Sequence, residues 1–197
     1  MSSPTRRRHA GIALLALLVL IAPPVKHTLE ASMTAQMLLQ MPLLVGVGWL
    51  LAKAVPTRAR ALVADWNHHG VTGLVLASVA SAYWMLPRTL DASVTDPLLN
   101  GFKYLTVPLL IGMPISLGWA HMNFIVRGLF LVEFIATFFR LGWLYLIWPE
   151  RLCNNYLLDD QQLLGQLMLL IGAALFLAIA GKLLWGRFDS LRESPAV

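Results

Sequence analysis

Long apolar stretches make up most of this chain, and charged or turn-forming residues separate them. A helix needs about 20 mostly apolar residues to cross the hydrocarbon core of a bilayer. Six stretches are close to that length or longer, so the pattern predicts six transmembrane helices. The predicted spans are residues 9–25, 32–54, 70–87, 102–120, 121–148 and 163–185.

The composition agrees with this pattern. Of the 197 residues, 58% are hydrophobic and 13% are charged, and the mean hydropathy is +0.69. A soluble domain usually carries about twice that charged fraction. We therefore predict an all-α, polytopic membrane helix bundle that forms a single membrane domain over residues 1–197, with a short polar tail at 186–197.

Lysine and arginine are concentrated in alternate connecting segments. Short loops that are rich in these residues remain in the cytoplasm. Three segments qualify: the N-terminus, the loop between the second and third spans, and the tail. Both termini are therefore predicted to be cytoplasmic. The net charge of +5 is explained by basic loops beside an anionic lipid bilayer, so we expect the bilayer as a partner and no nucleic acid.

The first span allows a second interpretation. Arg6, Arg7 and Arg8 precede a short apolar stretch, and this order also describes a cleavable signal peptide. No clean small-residue cleavage site follows, so we expect a retained membrane anchor.

The fifth span contains charged residues at membrane depth, namely Arg127, Glu133 and Arg140. Glu133 and Arg140 are two helical turns apart and share a face. Because an ionised group in the bilayer is costly, we expect this pair to face the bundle. It could form an ion path, contact a charged partner, or be a structural pair, with Arg127 and Arg140 extending toward opposite membrane surfaces.

Histidine and cysteine provide few further candidates. His68 or His69 could form a haem-ligating pair only with His121, and an interfacial location explains these residues better. Cys153 is the single cysteine and cannot form an internal disulfide. The sequence contains no nucleophile with a base, no metal triad and no cofactor motif, so we do not expect an enzyme.

Methionines form a stripe in the second span. Met33, Met37 and Met41 are spaced four residues apart, His27 lies just before them, and Met85 ends the third span. Thioethers are soft ligands that select Cu(I), but methionine is also a flexible packing residue. The candidate metal ligands are Met33, Met37, Met85 and His27.

A further polar motif precedes the sixth span. Asp160, Gln161 and Gln162 stand where side-chain oxygens can cap the free amides of a helix and a carboxylate favours its positive end. Capping and contact with a partner are both open roles for these three residues.

Four segments together resemble a known family. They are "SMTAQMLLQMPLLVG", "YWMLPRTLDASV", "NGFKYLTVPLLIG" and "DDQQLLGQLMLLIG". In this order they are similar to motifs of the multi-spanning CtaG family, which is associated with assembly of haem-copper cytochrome c oxidase. The family patterns read H-M-x-x-H-M-L-L, W-H-L-P, H-x-x-E-H and D-Q-Q-x-x-G, and the last of these is matched fully.

The imidazoles of those patterns are replaced in this chain. Ser32 and Gln36 stand at the two histidine positions of the first motif, and Met85 stands at that of the second. In the third motif, the H-x-x-E-H positions are Asn100, Lys103 and Tyr104. If copper binds, it must therefore use the methionines, with help from His27.

The resemblance implies a non-enzymatic, multi-pass protein of the bacterial inner membrane that helps a cytochrome c oxidase to mature, with or without Cu(I) in transit. Oxidase subunits are the expected partners. Two alternatives remain open: a metal-free accessory or structural subunit of a respiratory complex, and a small transporter.

Overall fold

The chain is helical throughout the described region. The computed structural model describes the backbone of residues 3–192, and the side chains of that range except at positions 3, 64, 65, 68 and 186–192. Within this range it contains nine helices of eight or more residues, one short 3-10 turn at His68–Gly70 and no strand, which confirms the predicted all-α class. The helices are α1 (Ser3–Ile21), α2 (Pro23–Glu30), α3 (Met33–Ala54), α4 (Thr57–Trp66), α5 (Val71–Trp84), α6 (Pro87–Thr95), α7 (Pro97–Gly118), α8 (Phe124–Ile147) and α9 (Leu158–Arg192).

Several of these helices could cross a membrane. By length and composition, α3, α7 and the Leu158–Trp185 part of α9 qualify among the described residues. The bent pair α1 and α2, which meet at 67°, would add a fourth span. Helix α5 has 14 residues and is about 21 Å long, shorter than the roughly 30 Å hydrocarbon core. The count of six spans and the orientation remain predictions.

The helix starts follow from local sequence. Proline occupies the first turn of α2, α6 and α7, where its missing N–H is not needed and its fixed φ favours the helix. Ser32 caps α3, and Asp96 caps α7 by accepting a hydrogen bond from the amide of Leu98 at 2.8 Å. The predicted span 32–54 therefore agrees closely with α3. Helix α9 extends beyond the predicted span 163–185 to Arg192, and residues 193–197 of the predicted tail lie outside the described residues.

Helices α3 and α7 each contain a π-helical segment, Gln36–Gln40 and Val107–Gly112. The two helices cross with their backbones in contact. A Cβ atom on Gly48 would overlap the carbonyl oxygen of Pro108, and one on Gly112 would overlap that of Val45. Glycine is therefore required at this crossing.

Two hydrophobic cores hold the helices together. The first joins α1, α3, α5 and α7 and consists of Ala13, Leu20, Leu44, Val47, Ala77, Ala80, Trp84, Tyr104, Val107 and Ile111. The second core joins the start of α3 to α6, α8, α9 and the segment before α9. Its buried members are Met33, Met37, Leu90, Tyr145, Cys153, Tyr156, Leu164 and Met168.

Candidate functional site: a buried polar cluster beside a sulfur-rich core

A buried ion pair lies where the two cores meet. Glu30 ends α2, and its Oε1 is 2.8 Å from Nζ of Lys103 on α7. The side chain of Lys103 is 0% exposed and that of Glu30 is 6% exposed. Charges this deeply buried are retained only when they are paired and hydrogen-bonded.

Amide and hydroxyl groups complete the coordination of Glu30. Nδ2 of Asn100 donates to Oε1 and Oε2 of Glu30, at 3.0 and 3.1 Å, and to the carbonyl of Ser93 at 2.8 Å. Nε2 of Gln40 donates to the Tyr104 hydroxyl at 2.8 Å and lies 3.3 Å from Oε1 of Glu30. We call Glu30, Gln36, Gln40, Ser93, Asn100, Lys103, Tyr104 and Tyr156 the polar cluster.

The spacing along two helices explains how these side chains converge. Asn100, Lys103 and Tyr104 stand at positions i, i+3 and i+4 of α7, so they share one face. Gln36 and Gln40 begin and end the π-helical segment of α3, and both are fully buried. Single π-helical turns often occur at functional sites.

One acceptor in the polar cluster is unsatisfied. Oε1 of Gln40 is buried and has no hydrogen-bond partner in the described part of the chain. The Tyr104 hydroxyl lies 3.1 Å from the carbonyl of Leu20, so the cluster also reaches α1.

Tyr156 connects the polar cluster to the segment before α9. Its hydroxyl is within hydrogen-bonding distance of Oε1 of Gln36 and of the carbonyl of Glu30. Nε2 of Gln36 in turn donates to Oγ of Ser93 at 3.3 Å. Burial, reinforced by nearby acidic groups, raises the pKa of Tyr156, so its hydroxyl remains a donor at neutral pH.

The second core is rich in sulfur. Met33, Met37, Met168 and Cys153 are all buried members of it, and we call these four residues the sulfur core. The Tyr145 hydroxyl donates to Sδ of Met37 at 3.6 Å, and the Cys153 thiol donates to the carbonyl of Pro87 at 3.4 Å. Burial, and secondarily the charge of Asp91, raise the pKa of Cys153 to about 12, so the thiol stays protonated at neutral pH.

The structure brings together part of the predicted metal set. Met33 and Met37 share the sulfur core, whereas Met85 is half-buried at the end of α5 and is not among the residues packed against that core. His27 is exposed on α2. Among the described residues, no group of three His, Cys, Asp or Glu side chains could hold a metal ion. The sulfur core offers three thioethers and one thiol as soft donors, and donors of this type suit Cu(I).

The three residues of the DQQ motif have different environments. Asp160 accepts hydrogen bonds from Oγ of Ser32 at 2.9 Å, from Oγ1 of Thr34 at 2.8 Å and from the amide of Met33. It therefore caps the start of α3, a different helix from the one that the sequence suggested.

The two glutamines of this motif differ in burial. Gln161 is buried; it accepts from the amide of Leu152 at 2.9 Å and donates to the carbonyl of Tyr145 at 3.3 Å. Gln162 is exposed. Gln161 therefore fixes the segment between α8 and α9.

The charged residues of α8 lie outside both cores. Glu133 and Arg140 form an ion pair, as their spacing suggested, but their side chains are 59% and 62% exposed. The pair therefore lies on the exposed surface of the helix bundle, contrary to the expectation that it faces the interior of the bundle. Arg127 is half-buried, donates to the carbonyl of Trp119 at 2.8 Å and lies over the ring of Trp119.

Among the described residues, the structure does not bring two of the histidines that the sequence suggested for haem together as a ligand pair. His121 is exposed, and its Nδ1 lies 3.3 Å from the carbonyl of Leu117. His69 takes a left-handed backbone conformation with φ of 58° in the turn before α5. The side chain of His68 lies outside the described residues.

Sequence reasoning missed the central feature of this region, the pairing of Glu30 with Lys103. The two residues are 73 positions apart, so no local pattern links them. A signal was nevertheless present, because Gln36, Gln40 and Lys103 all lie within predicted spans. Polar side chains at such depth point to a satisfied internal network.

Comparisons with protein-family models, with curated proteins and with solved structures found no match for this chain.

Proposed function

We propose that this chain is a non-enzymatic membrane protein that assists the maturation of a haem-copper cytochrome c oxidase. It would be a six-span protein of the bacterial inner membrane with both termini in the cytoplasm. Oxidase subunits would be its partners.

The observation that carries this proposal is the convergence of the motif positions. Gln36, Asn100, Lys103 and Tyr104 stand where the resembled family has motif residues, and all four meet in the polar cluster. They come from two helices that are separated by more than 40 residues of sequence. Asn100, Lys103 and Tyr104 share a face through their spacing alone, so the support for the resemblance comes from the meeting of that face with Gln36 of a separate motif, through Ser93.

A second convergence involves the last motif. Asp160 binds Ser32, Thr34 and the amide of Met33, which belong to the first motif. The fully matched D-Q-Q-x-x-G pattern therefore fixes the start of the helix that carries the methionine stripe. This arrangement favours a scaffold whose shape depends on the motif residues.

The polar cluster favours a structural role for Asn100, Lys103 and Tyr104, which stand at the H-x-x-E-H positions of the resembled family. A protein ammonium group, Nζ of Lys103, already pairs with the Glu30 carboxylate there. A scaffold that serves the oxidase by contact needs this region only to hold α2, α3 and α7 in place.

The test is genetic. The gene is deleted in the bacterium that encodes it, and oxidase activity and the haem and copper content of the purified oxidase are measured. We expect loss of mature oxidase, restored by the wild-type gene and not by a Glu30→Ala variant. A Glu133→Ala variant, altered at an exposed site of the same chain, is the matched control. Normal oxidase in the deletion strain would refute the proposal.

Purification of the oxidase also distinguishes an assembly factor from a permanent accessory subunit. A permanent subunit co-purifies with the mature, active oxidase, whereas an assembly factor is found only with incomplete complexes. Recovery of the chain in stoichiometric amount with the active enzyme would therefore favour the alternative.

Handling of Cu(I) is a second candidate, favoured by the sulfur core alone. Met33, Met37, Met168 and Cys153 would hold the ion as cargo. The purified chain is incubated with Cu(I) under reducing conditions, and bound metal is counted. We expect the double variant Met33→Leu/Met37→Leu to lose copper binding. The control Met122→Leu, at a buried methionine outside this core, should bind copper like the wild type. Equal amounts of bound copper in the wild type and both variants would show that the sulfur core does not hold the ion, which would refute this second candidate.

A further inference from the structure

A cleft of about 500 Å³ opens between α6 and the segment that precedes α9. One wall is a single face of α6, because Arg88, Asp91 and Thr95 are spaced i, i+3 and i+7. The other wall is formed by the segment that carries Arg151, Asn154 and Asn155.

The cleft has a fixed shape. The amides of Asn154 and Asn155 donate to the two carboxylate oxygens of Asp91 at 3.1 and 3.0 Å, and Nδ2 of Asn155 donates to the Asp91 carbonyl at 3.3 Å. The thiol of Cys153 holds the same segment to the carbonyl of Pro87. Both walls are therefore joined independently of any ligand.

The two arginines are the unused groups of this cleft. Arg88 and Arg151 come from opposite walls, and both are exposed. Neither has a hydrogen bond or an ion pair among the described residues. The carboxylate of Asp91 lies in the same cleft, and its oxygens accept from the backbone amides of Asn154 and Asn155, but it forms no ion pair with either arginine among the described residues.

We propose that this cleft binds a phosphate anion. A guanidinium group presents parallel N–H donors that match the oxygens of a phosphate, and two such groups from opposite walls can hold one phosphate between them. The side-chain amide of Asn154 and the second N–H of Asn155 Nδ2, whose first N–H binds the Asp91 carbonyl, supply further donors.

The position of the cleft indicates where the phosphate comes from. Arg88 follows the end of the apolar helix α5 by four residues, and Arg151 follows the end of α8 by the same number. Leu86 and Trp148, next to these ends, are 53% and 47% exposed. Apolar and indole side chains beside arginines are typical of the headgroup level of a bilayer. A phospholipid headgroup and free inorganic phosphate share the required chemistry.

The experiment uses the full-length purified chain. In one arm it is reconstituted into nanodiscs of phosphatidylcholine, with or without phosphatidylglycerol, and the lipid that stays bound after extraction is counted by native mass spectrometry. In the other arm, inorganic phosphate is added to lipid-free protein in detergent and the shift in Tm is measured.

The variants are Arg88→Gln, Arg151→Gln and the double variant. Each single substitution should weaken binding about tenfold, since a charge-assisted bidentate contact is worth about that factor. The double variant should bind no better than background. The matched control is Arg58→Gln, the same change at an exposed arginine of α4, and it should bind like the wild type.

The outcomes separate the two sources of phosphate. Selective retention of phosphatidylglycerol, lost in the double variant, identifies a headgroup site, whereas a phosphate-dependent Tm shift with no lipid selectivity identifies a free-phosphate site. Equal binding by the wild type and the double variant would overturn the proposal. So would an equal loss in Arg58→Gln, which would indicate general charge attraction. If the double variant does not fold, Arg88→Lys/Arg151→Lys keeps the charge and should still lose the bidentate contacts.

Discussion

The buried pair of Glu30 and Lys103 gives a double-mutant cycle whose result follows from the structure. Glu30→Gln removes the counterion of an ammonium group that is 0% exposed. Nζ of Lys103 has no other hydrogen bond or ion pair among the described residues, and its remaining contact is with the ring of Tyr104, 5.4 Å from the ring centre. Breaking a buried pair in this way costs about 3–5 kcal/mol of unfolding free energy. Lys103→Met should cost less, because the carboxylate keeps the amides of Asn100 and Gln40 as donors.

The double variant Glu30→Gln/Lys103→Met should be within about 1 kcal/mol of the wild type, because no uncompensated charge remains. The coupling between the two sites would then be large and favourable. The assay is unfolding of the purified chain by SDS in mixed micelles, followed by far-ultraviolet circular dichroism.

The control is the exposed pair of the same chain. Glu133→Gln and Arg140→Met should each change stability by less than Glu30→Gln does, because both side chains are more than half exposed and neither substitution leaves an uncompensated charge inside the protein. Additive losses from Glu30→Gln and Lys103→Met would refute the reasoning, since they would show that the two side chains do not interact in the folded chain.

Four further predictions test other parts of the fold. Gly112→Ala should lower the unfolding free energy by about 1–3 kcal/mol in the same SDS titration, because its Cβ would overlap the carbonyl of Val45; Gly46→Ala, with open space around it, should be neutral or slightly stabilising. Asp160→Asn should cost about 1–2 kcal/mol, because an amide group would face the donating amide of Met33; Asp159→Asn, at an exposed neighbour, should cost nothing measurable. The pKa of Cys153 is about 12 in the folded chain and about 8.5 in an unfolded chain. Between these two pH values the folded chain therefore binds more protons than the unfolded chain. Stability should therefore fall as pH rises from about 8.5 to 12, and a Cys153→Ala variant should lack this component of the pH titration. A reporter active only outside the cytoplasm should be active at Asn155 and silent when fused after Val197; activity at both positions would contradict the predicted orientation.

The sequence could predict the helices that depend on long apolar stretches. The start of α3 was visible because Ser32 precedes a predominantly apolar run, and α9 was visible for a similar reason. Helices α2, α4 and α6 were missed because each has ten residues or fewer. Segments of that length and polarity carry no transmembrane signal.

The candidate site could be predicted only in part. Met33 and Met37 could be grouped from the sequence, because a spacing of four residues is a local property, and both are buried in the sulfur core. Met168 and Cys153 join them only through the packing of α3 against α9 and the segment before it, a contact that spans more than 100 residues of sequence. Capping was one of the two roles that the sequence left open for Asp160, but the helix that it caps depends on the same tertiary contact.

The exposed pair of Glu133 and Arg140 has a consequence for the biogenesis of this chain. If α8 crosses the bilayer, each charge near its centre would oppose insertion from the translocon by about 2.5–3.5 kcal/mol. The two charges neutralise each other within one helix, with Oγ1 of Thr137 as an additional acceptor for Arg140. In that case α8 would carry its own counterion during synthesis, and it could enter the membrane before α9 emerges from the ribosome.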